Sequence, residues 1–370
     1  MPPSQEKPGY LIIAPEERMS DVEDFALYKE TQGFLVKTVS LEEILMTTSG
    51  VDEPEKVRNY LIDCVDWMPE SKFVLLVGSP DTMPMRIAYP NPHNHNVTVP
   101  TDFYYEDLTG NWDADEDGFF GEYGDDMSQQ TEDYRAELFV GRIPWDEPEH
   151  IKAICDTNML YEQDASSRMK CALGAGQNLG LGNTCDGPLL MNLVNNLILE
   201  PSGYDTTVLY DECEMLTPDY ELTVENFLEQ WEAIEPGFVV WISHGASEGT
   251  SFINVDNIPQ GVAPAVAVSV SCSVANPDVV SLGRVLIRDG VCAAFLGAGR
   301  NDFYDPIPVL SSGFKAATSL IWRHRTLAEA KVDFIEHYAK KEMNIARWSF
   351  HQNLFLFMLY GDPAIKLNRH

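Results

Sequence analysis

A single histidine, His244, sits in WISHGASEGT at the exit of an apolar run, and Cys272 sits at the same point of a second run, AVAVSVSCSV. A thiol becomes a strong nucleophile only as the thiolate, and an imidazole, with an ordinary pKa of ~6.5, is its usual base. If the two runs are neighbouring strands, both side chains emerge at one edge of a sheet. Gly245 leaves its backbone N–H open to a substrate carbonyl, and the N–H of Cys272 is a second candidate donor to an oxyanion. Taken singly, a cysteine is among the most buried residue types and a strand-end histidine is often just a satisfied polar group. At equivalent strand ends the two read together as nucleophile and base. Of the remaining cysteines, Cys64 and Cys155 fall on helical apolar faces and Cys171 and Cys292 inside strands. Cys185 and Cys213 fall in loop-like surroundings with no nearby histidine, so core or incidental roles suffice for all six.

The elements that must position the pair follow from hydrophobic periodicity. YLIIAP (Tyr10 to Pro15) reads as a buried strand, Asp21 to Gly33 as a helix closed by glycine, FLVKTVS as a strand, KVRNYLIDCVDWM as a helix and FVLLVGSP (Phe73 to Pro80) as a strand. This βαβαβ order predicts a parallel sheet in an α/β fold. Residues from about Met83 to Gln130 break the alternation with prolines, glycines, aromatics and acids, which reads as a long functional loop region. ELFVGRIP restores a strand. A helix over EPEHIKAICDTNMLYEQ, the strand MKCALGAGQ and a helix with Leu190, Leu193, Val194 and Leu197 on one face then precede FVVWISHG, AVAVSVSC and GVCAAFLGAG. Each of these last three ends in Gly, His or Cys, at the carboxyl edge where open parallel sheets place their ligands. The alternation restarts after GRIP, which predicts two side-by-side subdomains, 1–145 with the acidic loop and 146–370 with the His/Cys pair.

The 370 residues carry 58 acidic and 25 basic side chains, a net charge of −33. Such a chain repels nucleic acid and anionic membrane surfaces and attracts metal ions and basic peptides. Seven cysteines, thinly spread and without a CxxC pair, predict a mostly reduced protein. No stretch approaches 18 apolar residues and the N-terminus lacks the pattern of an export signal. The cytoplasm is therefore the expected compartment of the chain as given, with secretion the expectation if the N-terminus has been trimmed.

The acidic stretch NWDADEDGFFGEYGDD is a second candidate site. Asp113, Asp115 and Asp117 alternate before Gly118, a spacing that turns carboxylates toward one hard cation, and Glu122 or Asp125 could close the shell. The twelfth position from Asp113 is Gly124, so the loop is not a complete EF-hand. A structural Ca2+ is expected here.

SHG followed by SVSCS resembles the His-Gly and Cys strand ends of caspase-like cysteine peptidases. TDFYYEDLTGNWDADEDG, AELFVGRIP and the closing FLFMLYGDPAIKL narrow the resemblance to the gingipain family, over about residues 10 to 367. The resemblance implies a caspase-like fold with Cys272 as nucleophile, His244 as general acid/base and a third, acidic residue orienting the imidazole. Glu137 in AELFVGR occupies the place expected for that residue, with Asp102 as runner-up or pocket residue. It also places an S1 pocket after the GVCAAFLG strand, with Asn301 and Tyr304 lining it; Ser271 and Asp102 complete the expected substrate-binding set. The acidic balance, with Asp146 and Glu147, favours cleavage after a basic P1 residue. Arg300 pointing into the pocket would favour an acidic one. The expected partner is a peptide or protein substrate, with no nucleic acid or membrane partner and an open oligomeric state. A thiol acyltransferase or amidase would use the same dyad, whereas an inert caspase-like binding protein acting through its acidic face would need neither residue.

Overall fold

The computed structural model describes residues 7–65, 68, 72–124, 126, 134–180, 185–302, 306–342 and 348–367. The apolar runs fold as strands: β1 (Gly9–Ala14), β2 (Leu35–Ser40), β3 (Lys72–Val77), the short β4 (Arg86–Ala88) and β5 (Val99–Thr101), and β6 (Phe139–Ile143). After these come β7 (Cys171–Gly176), β8 (Asp205–Tyr210), β9 (Tyr220–Glu221), β10 (Phe238–Ile242), β11 (Ala265–Val270), β12 (Cys292–Ala298) and β13 (Phe357–Gly361). Eleven of them form one sheet in the order β2-β1-β3-β6-β13-β12-β11-β10-β7-β8-β9, while β4 and β5 pair as a small antiparallel ribbon within the expected loop region.

The sheet is mostly parallel because helical crossovers join its strands, and those helices cover both faces. Tyr10, Ile12, Phe73 and Leu75 point into one core with residues of the helices Glu23–Thr31, Pro148–Gln163 and Val224–Ile234. Leu11, Ile13, Val74 and Leu76 point into the other with residues of the helices Glu53–Cys64 and Leu327–Glu342. Burial on both faces explains why these strands read as unbroken apolar runs and not as alternating ones. Residue 145 falls between β6 and the helix that follows it, yet the sheet continues across that point. β13, from the C-terminal half, runs antiparallel to β12 and meets β6 at the pair Tyr360–Arg142.

One of the sequence motifs ties the two halves together, and a second braces the N-terminal half internally. Asp362 of GDPAIKL is fully buried, accepts a hydrogen bond from Tyr10 Oη at 2.7 Å and pairs with the buried Lys29, which also reaches Glu162 at 2.8 Å. Arg142 of VGRIP donates to both oxygens of Asp102 in the TDFYY segment, at 2.7 and 2.8 Å, and to the carbonyls of Gly78 and Met83. A buried charge left without its partner is strongly destabilising, so these residues are fixed by structure.

The helix expected with Leu190, Leu193, Val194 and Leu197 on its buried face differs in register. It runs Asp186–Val194 and continues as a π-helical turn over Asn195–Leu199. Met191, Ile198 and Leu199 are buried while Leu193 and Leu197 are exposed, and the wider turn over 195–199 places the adjacent Ile198 and Leu199 together on the inner side.

Candidate active site

β10 and β11 are adjacent and parallel, with Ile242 opposite Val270. The register carries His244 and Cys272 to equivalent positions two residues beyond each strand. The ends are tied together just before the pair: Ser243 N–H donates to the Val270 carbonyl at 3.1 Å, and the buried hydroxyls of Ser243 and Ser271 share a 2.8 Å hydrogen bond. Ser271, expected from the sequence to contact substrate, is buried here and fastens the two strand ends. Gly245 packs so closely on the next turn that a Cβ there would meet the Cys272 carbonyl oxygen at 2.7 Å and Val274 Cγ1 at 2.9 Å. Only glycine lets the two segments approach this far.

His244 is exposed, with its backbone N–H 3.2 Å from Gln177 Oε1 and its ring Nε2 3.1 Å from the Leu179 carbonyl. A carbonyl only accepts, so Nε2 carries a proton, and in the neutral ring the lone pair falls on Nδ1. Cys272 is half-buried. Burial pushes its thiol up, the Asp302 N–H at 3.4 Å from Sγ pulls it down, and the Asp302 carboxylate pushes it up again. Burial is the largest of these effects, and the net direction is upward from the ordinary thiol value. The residue after Cys272, Ser273, has φ +58°, a left-handed conformation that a side chain other than glycine adopts only when its surroundings hold it there.

The other expected members of the site lie elsewhere. Glu137 precedes β6, separated from β10 by β13, β12 and β11, each step about 4.8 Å. Its carboxylate accepts from Leu108 N–H at 2.8 Å and Thr109 Oγ1 at 3.2 Å, so it stabilises that loop and does not orient His244. Asp102 is held by Arg142 and is neither an orienting nor a pocket residue. The nearest carboxylate in the hydrogen-bond network of His244 is one the sequence reading passed over. Asp186 Oδ1 accepts from Leu179 N–H at 2.6 Å and so holds the residue whose carbonyl meets the imidazole. Its sequence signal was only its place at the start of the helix after β7, the strand beside β10.

Asn301 stands beside the nucleophile turn, its side-chain oxygen accepting from Ser273 Oγ at 3.0 Å; Tyr304 lies outside the described residues. Asp302, next in sequence, lines a cavity of about 160 Å³ with Ile242, Val268, Val270, Leu296, Phe314 and other apolar side chains. Its Oδ1 is buried with no hydrogen-bond partner, and burial pushes the carboxyl up to about 6. Lys331 also lines the cavity but is paired with Glu106 at 2.9 Å. Arg300 does not point into this space. It pairs with Asp278 and donates to Asn276 and to the Thr98 carbonyl.

Cys185 and Cys213, expected to be incidental thiols, form a disulfide with Cα atoms 5.1 Å apart. No sequence signal separates a pair 28 residues apart in two loops from free cysteines; the packing of β7 beside β8 brings those loops together. The bridge anchors the C-terminal end of the 177–186 segment that carries Gln177 and Leu179. A cross-link closing a loop of this length stabilises a fold by about 3–4 kcal/mol. Cys213→Ser should lower stability by about that amount in a denaturant titration, and an unchanged midpoint would show that the bridge does not form.

In the acidic loop, carboxylate oxygens of Asp113, Asp115 and Asp117 all come within 4.8 Å of one another. Glu122 is not part of this group, because it is buried and paired with His95 Nε2 at 2.7 Å. Asp126 lies closer to the loop, accepting from Ala114 N–H at 2.6 Å. Burial, with Glu122 and Asp113 adding to it, pushes its carboxyl up to about 6.

A mostly parallel sheet with a cysteine and a histidine at adjacent carboxyl ends defines a caspase-like cysteine peptidase. The sequence matches peptidase family C25 over residues 3–368, and the chain belongs to that family, the family of the gingipains. Among solved structures, that of the Arg-specific cysteine proteinase gingipain R superposes with a TM-score of 0.74 at 18% identity, covering 98% of this chain and 79% of that one. The complex of Porphyromonas gingivalis RgpB pro- and mature domains gives 0.75 at 18% identity, covering 96% and 79%. A third structure, described only as a protease, gives 0.75 at 14%, covering 98% and 79%. No curated protein matches the chain.

Proposed function

We propose that this cysteine peptidase cleaves peptide bonds through the Cys272/His244 dyad, after a basic P1 residue. The observation that carries the reading is the register of β10 and β11, with the Ser243–Ser271 fastener delivering both side chains from equivalent strand ends. On substrate binding His244 Nδ1 takes the thiol proton as Sγ attacks the carbonyl carbon. The oxyanion rests on the N–H groups of Gly245 and Cys272; the C–N bond then breaks as the imidazolium protonates the leaving amine. Water, deprotonated by the same imidazole, hydrolyses the thioester and releases Cys272. Asp186 acts as a positioning residue through Leu179. An acyltransferase would use the same acyl-enzyme, and an inert binding protein would use neither side chain. A fluorogenic peptide panel varied at P1, run beside Cys272→Ala, separates the three: hydrolysis lost in the variant supports the peptidase.

The basic P1 preference rests on Asp302. A buried carboxylate oxygen without a partner, in an apolar cavity beside the nucleophile, is the counter-charge a Lys or Arg side chain would find there. The engagement of Arg300 with Asp278 removes the reason to expect an acidic P1.

The three clustered aspartates fit a hard cation with oxygen ligands, and calcium is the ion we assign, in a structural role. At free calcium a hundred-fold above Kd, binding would stabilise the fold by about 2.7 kcal/mol. A chelator should therefore lower the melting temperature, and Asp115→Ala should abolish the difference. A curve indifferent to calcium and chelator would leave the loop as a solvated acidic surface.

Among the described residues no helix is long and apolar enough to cross a membrane. The Cys185–Cys213 bridge favours an oxidising compartment over the cytoplasm expected from the N-terminal sequence.

A further inference from the structure

We infer that Arg300 is a positioning residue for catalysis, a clamp that keeps the turn after Cys272 in its left-handed conformation. The proposal rests on Cys272 being the nucleophile and goes beyond the dyad in naming what holds the thiol in place.

Ser273 is one of only four described residues other than glycine with positive φ, and it directly follows the nucleophile. Its own bonds do not reach far: its N–H donates to the Arg300 carbonyl at 3.1 Å and its hydroxyl to Asn301 Oδ1 at 3.0 Å. The guanidinium of Arg300 supplies the rest of the frame. Nη1 donates to Asn276 Oδ1 at 2.7 Å and to the Gly299 carbonyl at 2.9 Å, Nη2 pairs with Asp278, and Nε donates to the Thr98 carbonyl at 3.3 Å. Asn276 closes the Ser273 turn with its own N–H on the Ser273 carbonyl at 3.0 Å, and its amide reaches Ser247 Oγ at 2.9 Å, in the segment that follows His244. One planar cation with several fixed donors therefore grips the nucleophile turn from its far side, ties it to the end of β12 and fastens it to a loop of the N-terminal half. Lysine, a point charge on a flexible stem, could replace one of these bonds but not the set.

A left-handed residue returns to ordinary backbone angles when its frame is cut, whereas glycine has no such tendency. Rotation of Ser273 would swing Cys272 Sγ away from the imidazole, and a displacement near 1 Å at the reacting atoms can cost about a hundred-fold in rate.

The test is steady-state kinetics on the full chain, with folding checked by circular dichroism and melting temperature. Arg300→Gln should lower kcat roughly ten- to hundred-fold with KM changed less than about twofold. Arg300→Lys should recover little of it, and Asp278→Asn, milder alone, should add almost nothing to Arg300→Gln. In a Ser273→Gly background the Arg300→Gln loss should shrink to about threefold or less, which a merely structural arginine would not produce. Should Arg300→Gln fail to fold, Asp278→Asn in the Ser273 and Ser273→Gly backgrounds asks the same question. Wild-type kcat in the arginine variants, a change confined to KM, or a loss of equal size in both backgrounds would overturn the proposal. An active Cys272→Ala would instead overturn the dyad on which it rests.

Discussion

Cys272→Ala and His244→Ala should each lower kcat by about four orders of magnitude or more while leaving the melting temperature within a few degrees of wild type. The size follows from what is lost. Without the thiol no acyl-enzyme forms, and without the imidazole the thiol keeps a proton that burial already binds more tightly than usual. The mild effect on folding follows from location. His244 is exposed and Cys272 only half-buried, so truncation opens no large cavity in either core. The double variant should be no worse than the single ones, because the two act as a unit. By contrast Cys292, fully buried in β12, takes no part in the reaction, and Cys292→Ala should leave kcat unchanged while costing stability. Substantial turnover in either dyad variant would show that another nucleophile does the work.

Asp302→Asn should lower kcat/KM for Lys and Arg P1 substrates about a hundred-fold and leave small apolar P1 substrates within severalfold of wild type. Removing one partner of a buried charge pair costs about 2–5 kcal/mol, because the other charge is left in an apolar surround. The pH dependence has a definite sign. Burial raises the Asp302 carboxyl to about 6, so the charge that attracts a basic P1 is present above that pH and is lost as pH falls through it. KM for a basic P1 substrate should rise on acidification toward pH 5 in the wild type, and much less in Asp302→Asn. Since the Asp302 carboxylate also raises the Cys272 thiol, a bound cation that offsets it should ease ionisation of the nucleophile. A P1 profile that survives Asp302→Asn intact would place recognition elsewhere.

How far the sequence could be read depended on the range of the interaction. Strand runs such as YLIIA and FVVWI were legible because burial on both faces leaves an apolar run in the chain itself. The placement of His244 and Cys272 at neighbouring strand ends was legible for the same reason: each closely follows such a run. Glu137 and Asp102 misled because a carboxylate beside a strand looks the same whether it faces an imidazole, a pair of loop donors or a buried arginine. Only the fold shows that Arg142 takes one and Leu108 and Thr109 the other. Asp302 stood next to the expected Asn301, yet the cavity it lines is closed by strands β10 and β11 and by the helix 327–342, all distant from it in the chain. The disulfide is the plainest case, since its two loops meet only through the pairing of β7 with β8.

The most direct test of the account is to expose the protein to a peptidyl chloromethyl ketone with arginine at P1 and locate the adduct by mass spectrometry. Alkylation requires the nucleophile, its base and the P1 site in one constellation. The account predicts a single adduct on Cys272, absent in His244→Ala at matched times and slowed in Asp302→Asn. Modification of another cysteine, or peptide hydrolysis that continues with Cys272 fully alkylated, would contradict it.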